Sequence, residues 1–217
     1  MSGLTEEEVI AKLASIHAQY HIKYGTFLEE LPEQKIAIRN LTGKEKVLEI
    51  GGNVGRNAIV ISHVVGDANF VTIESNPQIA AQLKENRDSN NKHFAIEAAA
   101  LSSRRMIQLD GLSQPGEELI EGWQWVNTIT WPELQRKYNI SFDTLVLDCE
   151  GAFYYILRDT PEILNNINMI FLENDFRIGG QKAYVDEQFI ANGFRRIYTE
   201  PHPESPTQLD FFEVWKK

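Results

Sequence analysis

Short apolar runs alternate with helical patterns along most of the chain. The apolar runs predict strands near residues 46–50, 69–73, 93–97, 143–148 and 168–173. The intervening patterns predict helices near residues 54–65, 76–89, 131–138, 151–158 and 181–192. Such alternation is typical of a mostly parallel sheet with helices on both faces. We therefore predict an α/β, Rossmann-like fold.

The C-terminal end follows a different pattern. Residues 194–199 and 209–215 alternate polar and apolar positions as strands do, and a polar segment with three prolines separates them. This pattern predicts a terminal antiparallel hairpin joined to the parallel sheet.

The N-terminal end predicts helices that precede the first core strand. Residues 4–24 show apolar positions at helical spacing, and Thr5 stands ahead of three glutamates, as in a helix cap. A second helix is predicted from Glu33 to Leu41. We expect residues 1–45 to form a helical lid over a cofactor pocket, and residues 46–217 to form one core domain.

A glycine turn follows the first core strand. The dinucleotide fingerprint G-x-G-x-x-G would require glycine at positions 53 and 56, which are Asn53 and Arg56. A carboxylate beside the turn would repel a pyrophosphate and attract a cationic ligand such as S-adenosylmethionine (SAM). The predicted cofactor loop consists of Glu49, Gly51, Gly52, Asn53 and Gly55. The alternative is a turn that only packs the strand on its helix.

Composition limits the classes of partner. With 217 residues, 42% hydrophobic and 24% charged, the chain suits a single α/β domain. The net charge of −10 argues against nucleic acid as a partner. No run of 18 apolar residues and no targeting segment is visible, so we expect no membrane span. The single cysteine, Cys149, excludes an internal disulfide and makes the cytoplasm the expected location.

An acidic residue, Glu74, follows the second strand about twenty residues after the glycine turn. A carboxylate in this position can accept hydrogen bonds from both hydroxyls of a ribose. We therefore predict a cofactor contact for Glu74 and for Ser75 beside it. The alternative is an acid that interacts with the dipole of the next helix.

A small-residue segment follows the third strand. Glu97, Ala98 and Ala99 would let backbone amides approach an adenine ring, and Glu97 could accept from its exocyclic amine. The alternative is an alanine run without a functional role.

Acidic residues follow the fourth and fifth core strands. They are Asp148, Glu150, Glu173 and Asp175. Such a cluster is costly unless protons, cations or donors compensate it. One hypothesis makes Asp148 the general base for a substrate hydroxyl, with the other three acids as further catalytic candidates. The second makes Asp148 and Asp175, with Asn174 or Glu173, the ligands of Mg²⁺ or Mn²⁺, which would acidify that hydroxyl. The third leaves solvated acids that surface arginines balance.

Five segments together resemble the FkbM family of SAM-dependent O-methyltransferases. They are Glu49 to Gly55, Glu74 to Pro77, Glu85-Asn86 with Asn90, Ala100 to Ser102, and Asp148 to Gly151. The resemblance covers residues from about 46 to 175. It implies a seven-stranded fold whose last strand inserts antiparallel between its neighbours. Two departures concern the acceptor side: Val146 replaces a frequent lysine, and Trp131-Pro132 replaces a Leu-Asp pair.

The resemblance implies transfer of a methyl group from SAM to a hydroxyl of a sugar or glycan, often by a module of a longer glycan-assembly protein. One alternative is a metal-dependent enzyme that methylates a natural-product hydroxyl. Two others are a SAM-binding module without catalysis and a nucleotide-dependent oxidoreductase, which the missing glycines disfavour.

Overall fold

The computed structural model describes residues 3–205 and 207–217. Its helices are α1 (Glu6–His17), α2 (Leu31–Asn40), α3 (Arg56–Val65), α4 (Pro77–Ser89), α5 (Trp131–Tyr138), α6 (Phe153–Asp159) and α7 (Gln181–Ala191). Short 3-10 helices span Phe27–Glu30, Asp67–Asn69 and Pro161–Leu164. None of the helices in these ranges combines the length and apolar character needed to cross a bilayer.

The strands form one large sheet and two small ones. They are β1 (Val47–Ile50), β2 (Phe70–Ile73), β3 (Ala95–Glu97), β4 (Ala100–Leu101), β5 (Met106–Leu109), β6 (Leu112–Pro115), β7 (Gln124–Val126), β8 (Thr128–Ile129), β9 (Thr144–Leu147), β10 (Met169–Glu173), β11 (Arg195–Glu200) and β12 (Phe212–Lys216). Each predicted core strand and helix is present, with bounds that shift by no more than a few residues.

The large sheet has the order β11-β12-β10-β9-β1-β2-β3. Strands β3, β2, β1, β9 and β10 pair in parallel. Strand β12 lies antiparallel between β10 and β11. The predicted Rossmann-like α/β fold and its inserted antiparallel strand are therefore confirmed.

Alternate residues of the central strands pack into two hydrophobic clusters. In β9, Leu145 and Leu147 belong to one cluster, and Val146 belongs to the other. The same alternation holds for Leu48 and Val47 of β1. Because successive side chains of a strand point to opposite faces, the sheet is covered on both faces.

The N-terminal helices form an extension that packs on the core. Thr5 and Glu8 make the predicted capping box, but α1 ends at His17 rather than near residue 24. Val9, Leu13 and Ile16 of α1 pack in a cluster of their own with α2 and α3 residues. The extension is therefore anchored by apolar contacts to α2 and α3.

Two small sheets between β3 and α5 were not predicted. Strands β4 and β8 pair in parallel, and β5 pairs antiparallel with β6 and β7. Strand β6 is only half-buried throughout. The strands β6-β5-β7 are called the small sheet below.

Candidate functional site

A cavity of about 280 Å³ lies where β1, β2 and β9 end. It is placed beyond the carboxyl ends of parallel strands, where open α/β sheets bind ligands. Predicted site residues in its lining are Gly51, Asn53, Glu74, Ser75, Ala99, Asp148 and Glu150. Among the described residues that line it, none precedes Ile50. The N-terminal helices thus do not line the cavity as a lid would.

Gly51 allows β1 to turn against the end of β9. Its φ is +97°, a left-handed conformation that favours glycine, and a Cβ there would overlap the carbonyl oxygen of Asp148. The amides of Gly51 and Gly52 both donate to the carbonyl of Ile73, each at 2.9 Å. This turn therefore joins the ends of three neighbouring strands and fixes one wall of the cavity.

Gly52 and Gly55 act in packing rather than in the cavity lining. A Cβ on Gly52 would overlap Oγ1 of Thr72. Gly55 has a φ of +90° and precedes the first residue of α3, where a Cβ would lie 3.1 Å from Leu83. Both glycines were predicted as cofactor contacts. Neither is among the described residues that line the cavity.

Glu74 is held at the end of β2 with its carboxylate in the cavity wall. One oxygen accepts the amide of Asn53 at 2.9 Å, and the other accepts the amide of Asn76 at 2.7 Å. Burial raises the pKa of Glu74, and these amides oppose the shift. Since each carboxylate oxygen has a second lone pair, Glu74 can still accept from two adjacent hydroxyls.

Glu49 lies inside the fold instead of at the cavity. It is 2% exposed, and it accepts hydrogen bonds from Thr72 Oγ1 at 2.7 Å and Asn57 Nδ2 at 3.2 Å. Burial raises the pKa of Glu49 to about 8, so the carboxyl is mostly neutral at pH 7. The predicted direct attraction between Glu49 and a cationic cofactor does not match this geometry.

The N-terminal extension supplies a carboxylate that the sequence pattern did not reveal. Glu30, itself buried, accepts from Arg56 Nη1 at 2.6 Å and from the Asn57 amide at 3.1 Å. The side-chain amide of Asn53 donates to it at 3.4 Å. Glu30 thus braces the glycine turn and the first turn of α3, where a negative charge is favourable.

Glu97 and Ala98 lie outside the cavity. Oε2 of Glu97 accepts from Lys137 Nζ at 2.6 Å and from the Tyr138 hydroxyl at 2.9 Å. Ala98 and Glu97 line a separate open groove beside α5. The predicted contact between Glu97 and an adenine amine therefore has no support in this arrangement, whereas Ala99 does line the cavity.

Three carboxyl groups gather at the β9 side of the cavity. Oxygens of Glu33, Asp148 and Glu173 all lie within 4.8 Å of one another. Burial and the neighbouring carboxylates raise the pKa of Glu173 to about 9, and the same causes raise the pKa of Asp148 well above its usual range. These carboxyl groups therefore bind protons more tightly than separate carboxyl groups in water would. These three residues are called the acid cluster below.

Asn174 and Asp175 do not join the acid cluster. The amide of Asn174 donates to the carbonyl of Asp210 at 3.1 Å, in the loop between β11 and β12. Asp175 accepts the amide of Gly151 at 2.9 Å. Of the predicted metal ligands, Asp148 and Glu173 lie in the acid cluster, whereas Asn174 faces the terminal hairpin and Asp175 accepts from Gly151. Glu33 of α2, which no strand-end pattern indicates, takes part instead.

Glu150 borders the cavity and is paired at its rim. Its carboxylate accepts from Arg177 Nη2 at 2.6 Å, and its φ is +52°. The exposed arginine balances this acid in the way that the third hypothesis expected. Glu150 is therefore a rim residue, while Asp148 is the acid that both lines the cavity and belongs to the acid cluster.

The small sheet completes the cavity opposite the glycine turn. Met106 and Gln108 of β5 and Ser113 of β6 line it. The amide nitrogen of Gln108 donates to the hydroxyl of Ser75 at 2.8 Å, and so ties the small sheet to the end of β2. Sequence reasoning missed this wall, because its position depends on a contact between distant segments.

Solved structures share the fold. A protein of the NADB-Rossmann superfamily from Streptococcus agalactiae matches with a TM-score of 0.54 and 14% identity, over 85% of this chain and 66% of its own. A tRNA methyltransferase from Aquifex aeolicus matches with a TM-score of 0.52 and 14% identity, over 93% and 74%. A ribosomal protein methylase from Lactobacillus delbrueckii subsp. bulgaricus matches with a TM-score of 0.52 and 11% identity, over 86% and 76%.

No protein-family model matches the sequence, and no curated protein matches it. At these identities the structural matches establish a Rossmann-type fold of the kind that methyltransferases use. A shared fold does not define the reaction, which depends on the residues of this cavity.

Proposed function

We propose that this chain is a SAM-dependent methyltransferase whose cofactor occupies the cavity between the glycine turn and the small sheet. The observation that carries the proposal is Glu74, held by the amides of Asn53 and Asn76 with lone pairs left for two ribose hydroxyls. The fold, which matches those of two solved methylases with TM-scores of 0.52, supports the same function.

The acceptor that we propose is a hydroxyl of a sugar or glycan. Its support is the resemblance to the FkbM family, whose most specific segment, Asp148 to Gly151, borders the cavity. The net charge of −10 disfavours RNA, although one of the three structures described above is a tRNA methyltransferase. We also propose that this chain is one module of a larger glycan-assembly protein.

Asp148 is the proposed general base. The bound cofactor would supply a methyl group on a sulfonium, open to in-line attack by the acceptor oxygen. Asp148 lines the cavity and would accept the proton of that hydroxyl, while Glu173 stands behind it within the acid cluster. A base works best when its pKa is close to the working pH, and burial shifts these carboxyls in that direction.

A metal-assisted reaction on a natural-product hydroxyl is the second candidate. The acid cluster offers three carboxylates, the oxygen donors that Mg²⁺ and Mn²⁺ prefer, with oxygens within 4.8 Å of one another. A cation bound there would stabilise the deprotonated carboxylates, which burial otherwise disfavours. Sensitivity to a chelator separates this candidate from the metal-free base.

Methyl transfer from labelled SAM to a panel of glycosides tests the proposal, with and without Mn²⁺ and with a chelator. We expect label on an acceptor oxygen, a rate that survives the chelator, and a fall of about 100-fold or more in kcat for Asp148→Asn. Because the base must lose its proton and burial raises its pKa, wild-type kcat should still rise with pH above the range in which an ordinary aspartate has already lost its proton. The residual rate of Asp148→Asn should not follow that rise.

The control is Asp88→Asn on the exposed side of α4, where Asp88 pairs with Lys84, and it should keep the full rate. Label found on RNA but on no glycoside would contradict the acceptor. Unchanged kcat in Asp148→Asn would contradict the role of Asp148. A SAM-binding module without catalysis would bind cofactor and transfer no label to any acceptor.

A further inference from the structure

Gln108 holds a buried polar atom that lacks a hydrogen-bond partner within the described part of the chain. The residue is 2% exposed and belongs to β5, opposite Ser113 of β6. Its amide nitrogen donates to Ser75 Oγ at 2.8 Å, while its carbonyl oxygen has no hydrogen-bond partner among the described residues. Buried acceptors are nearly always satisfied, so a lone carbonyl in a cavity wall calls for a ligand group.

The surroundings of Gln108 indicate what that group is. Ser75, its partner, directly follows Glu74, so Gln108 is held one residue beyond the carboxylate assigned to the ribose. The apolar side chains of Ile79, Leu101 and Met106 line the same cavity as Gln108. Apolar walls with one unpartnered acceptor suit a flat heteroaromatic ring that carries an amino group at its edge.

We propose that the carbonyl oxygen of Gln108 accepts a hydrogen bond from the exocyclic amine of the cofactor's adenine. This inference rests on the proposed function, because it assumes the ribose at Glu74. The small sheet would then provide the contact to the adenine amine that the sequence pattern predicted for Glu97. The carboxylate of Glu97 is engaged by Lys137 and Tyr138 outside the cavity.

The bond of Gln108 to Ser75 fixes the direction of recognition. With the amide nitrogen committed to the serine hydroxyl, the carbonyl oxygen is the part of the side chain left for a ligand. The site then favours a purine with an amino group at position 6 over one with hydrogen there. The discrimination comes from the cost of leaving the buried carbonyl unpaired.

Calorimetric titration with two probes tests the inference. The probes are S-adenosylhomocysteine (SAH) and its analogue in which hydrogen replaces the adenine amine. Wild type should bind the analogue about tenfold more weakly than SAH. Gln108→Met should bind SAH about tenfold more weakly and should no longer distinguish the two probes. Gln108→Glu keeps an acceptor in place and should retain the preference for SAH.

The outcomes separate this inference from the proposed function. If wild type binds both probes equally well, the inference is overturned and the methyltransferase proposal stands. If Gln108→Met weakens both probes by the same factor, Gln108 only holds the small sheet and the inference is again overturned. If wild type binds neither probe, the proposed function fails and the inference falls with it.

Discussion

Gly51 shows how a single residue without a side chain shapes the cavity. Its left-handed φ and the nearby carbonyl of Asp148 leave no volume for a Cβ. The clash is with backbone, so relief would require β1 and β9 to separate at the point where Asp148 enters the cavity. Glycine is therefore required at position 51 both by the left-handed φ and by the lack of space for a Cβ.

Gly51→Ala should lower the free energy of unfolding by about 3 kcal/mol or more, from strain and overlap together. The matched control is Gly66→Ala. Gly66 has a φ of +80°, and a Cβ added there would meet no described atom within 4 Å. The substitution Gly66→Ala should therefore cost only about 1 kcal/mol. Chemical denaturation of both variants measures the difference. Equal losses would show that strain alone accounts for Gly51.

The sequence predicted which sheet edge carries the site more reliably than which residues face the cavity. Glu74 follows the last residue of β2, so its side chain lies beyond the sheet. Glu49 precedes the last residue of β1, where Asn57 and Thr72 cover its side chain. Glu33 was missed because its place in the acid cluster depends on how α2 packs, which no local pattern reveals.

At the scale of elements, α4 connects the N-terminal extension to the glycine turn. Asn86 is fully buried, and its amide nitrogen donates to the carbonyl of Val54 at 2.8 Å. Its oxygen accepts the backbone amide of Lys23 at 2.8 Å. Asn90, one turn later, accepts the amide of His21 at 2.7 Å but has no hydrogen bond to the glycine turn among the described residues.

Asn86→Ala should destabilise the fold by about 2–4 kcal/mol, because it leaves the buried carbonyl of Val54 and part-buried backbone groups of Lys23 and Tyr24 unpaired. It should also weaken SAH binding, since the glycine turn loses a support. Asn90→Ala is the control and should cost stability without changing the affinity for SAH. Thermal unfolding and calorimetry on the two variants check this. Equal affinities in both would show that the extension does not influence the turn.

The core strands were predictable because they are mostly apolar runs that alternate with helical patterns, although each has only three to five residues. Strands β5, β6 and β7 are equally short, and polar residues such as Gln108, Ser113 and Gln114 interrupt the apolar positions of β5 and β6. Strand β6 is half-buried throughout, so it offers no clear apolar face. The small sheet is held at the cavity by the hydrogen bond from Gln108 to Ser75, a contact between distant parts of the chain.

At the scale of the whole molecule, the net charge of −10 favours a ligand that brings positive charge and disfavours one with two phosphates. Burial raises the pKa of Glu30, Glu33, Glu49, Glu74, Asp148, Glu173 and Asp175, so these groups contribute less negative charge than exposed acids do. Of these seven residues, Glu74 and Asp148 line the cavity. SAM brings positive charge, whereas NAD brings two phosphates.

The central claim is that the cavity binds the adenosyl cofactor of methyl transfer through Glu74. Its most direct test is calorimetric titration with SAH of wild type, Glu74→Ala and Glu97→Ala, with NAD as the competing ligand. We expect micromolar binding by wild type, a loss of about 100-fold in Glu74→Ala, and no change in Glu97→Ala, whose carboxylate lies outside the cavity. NAD should not bind. Binding that survives in Glu74→Ala, or that favours NAD, would contradict the account.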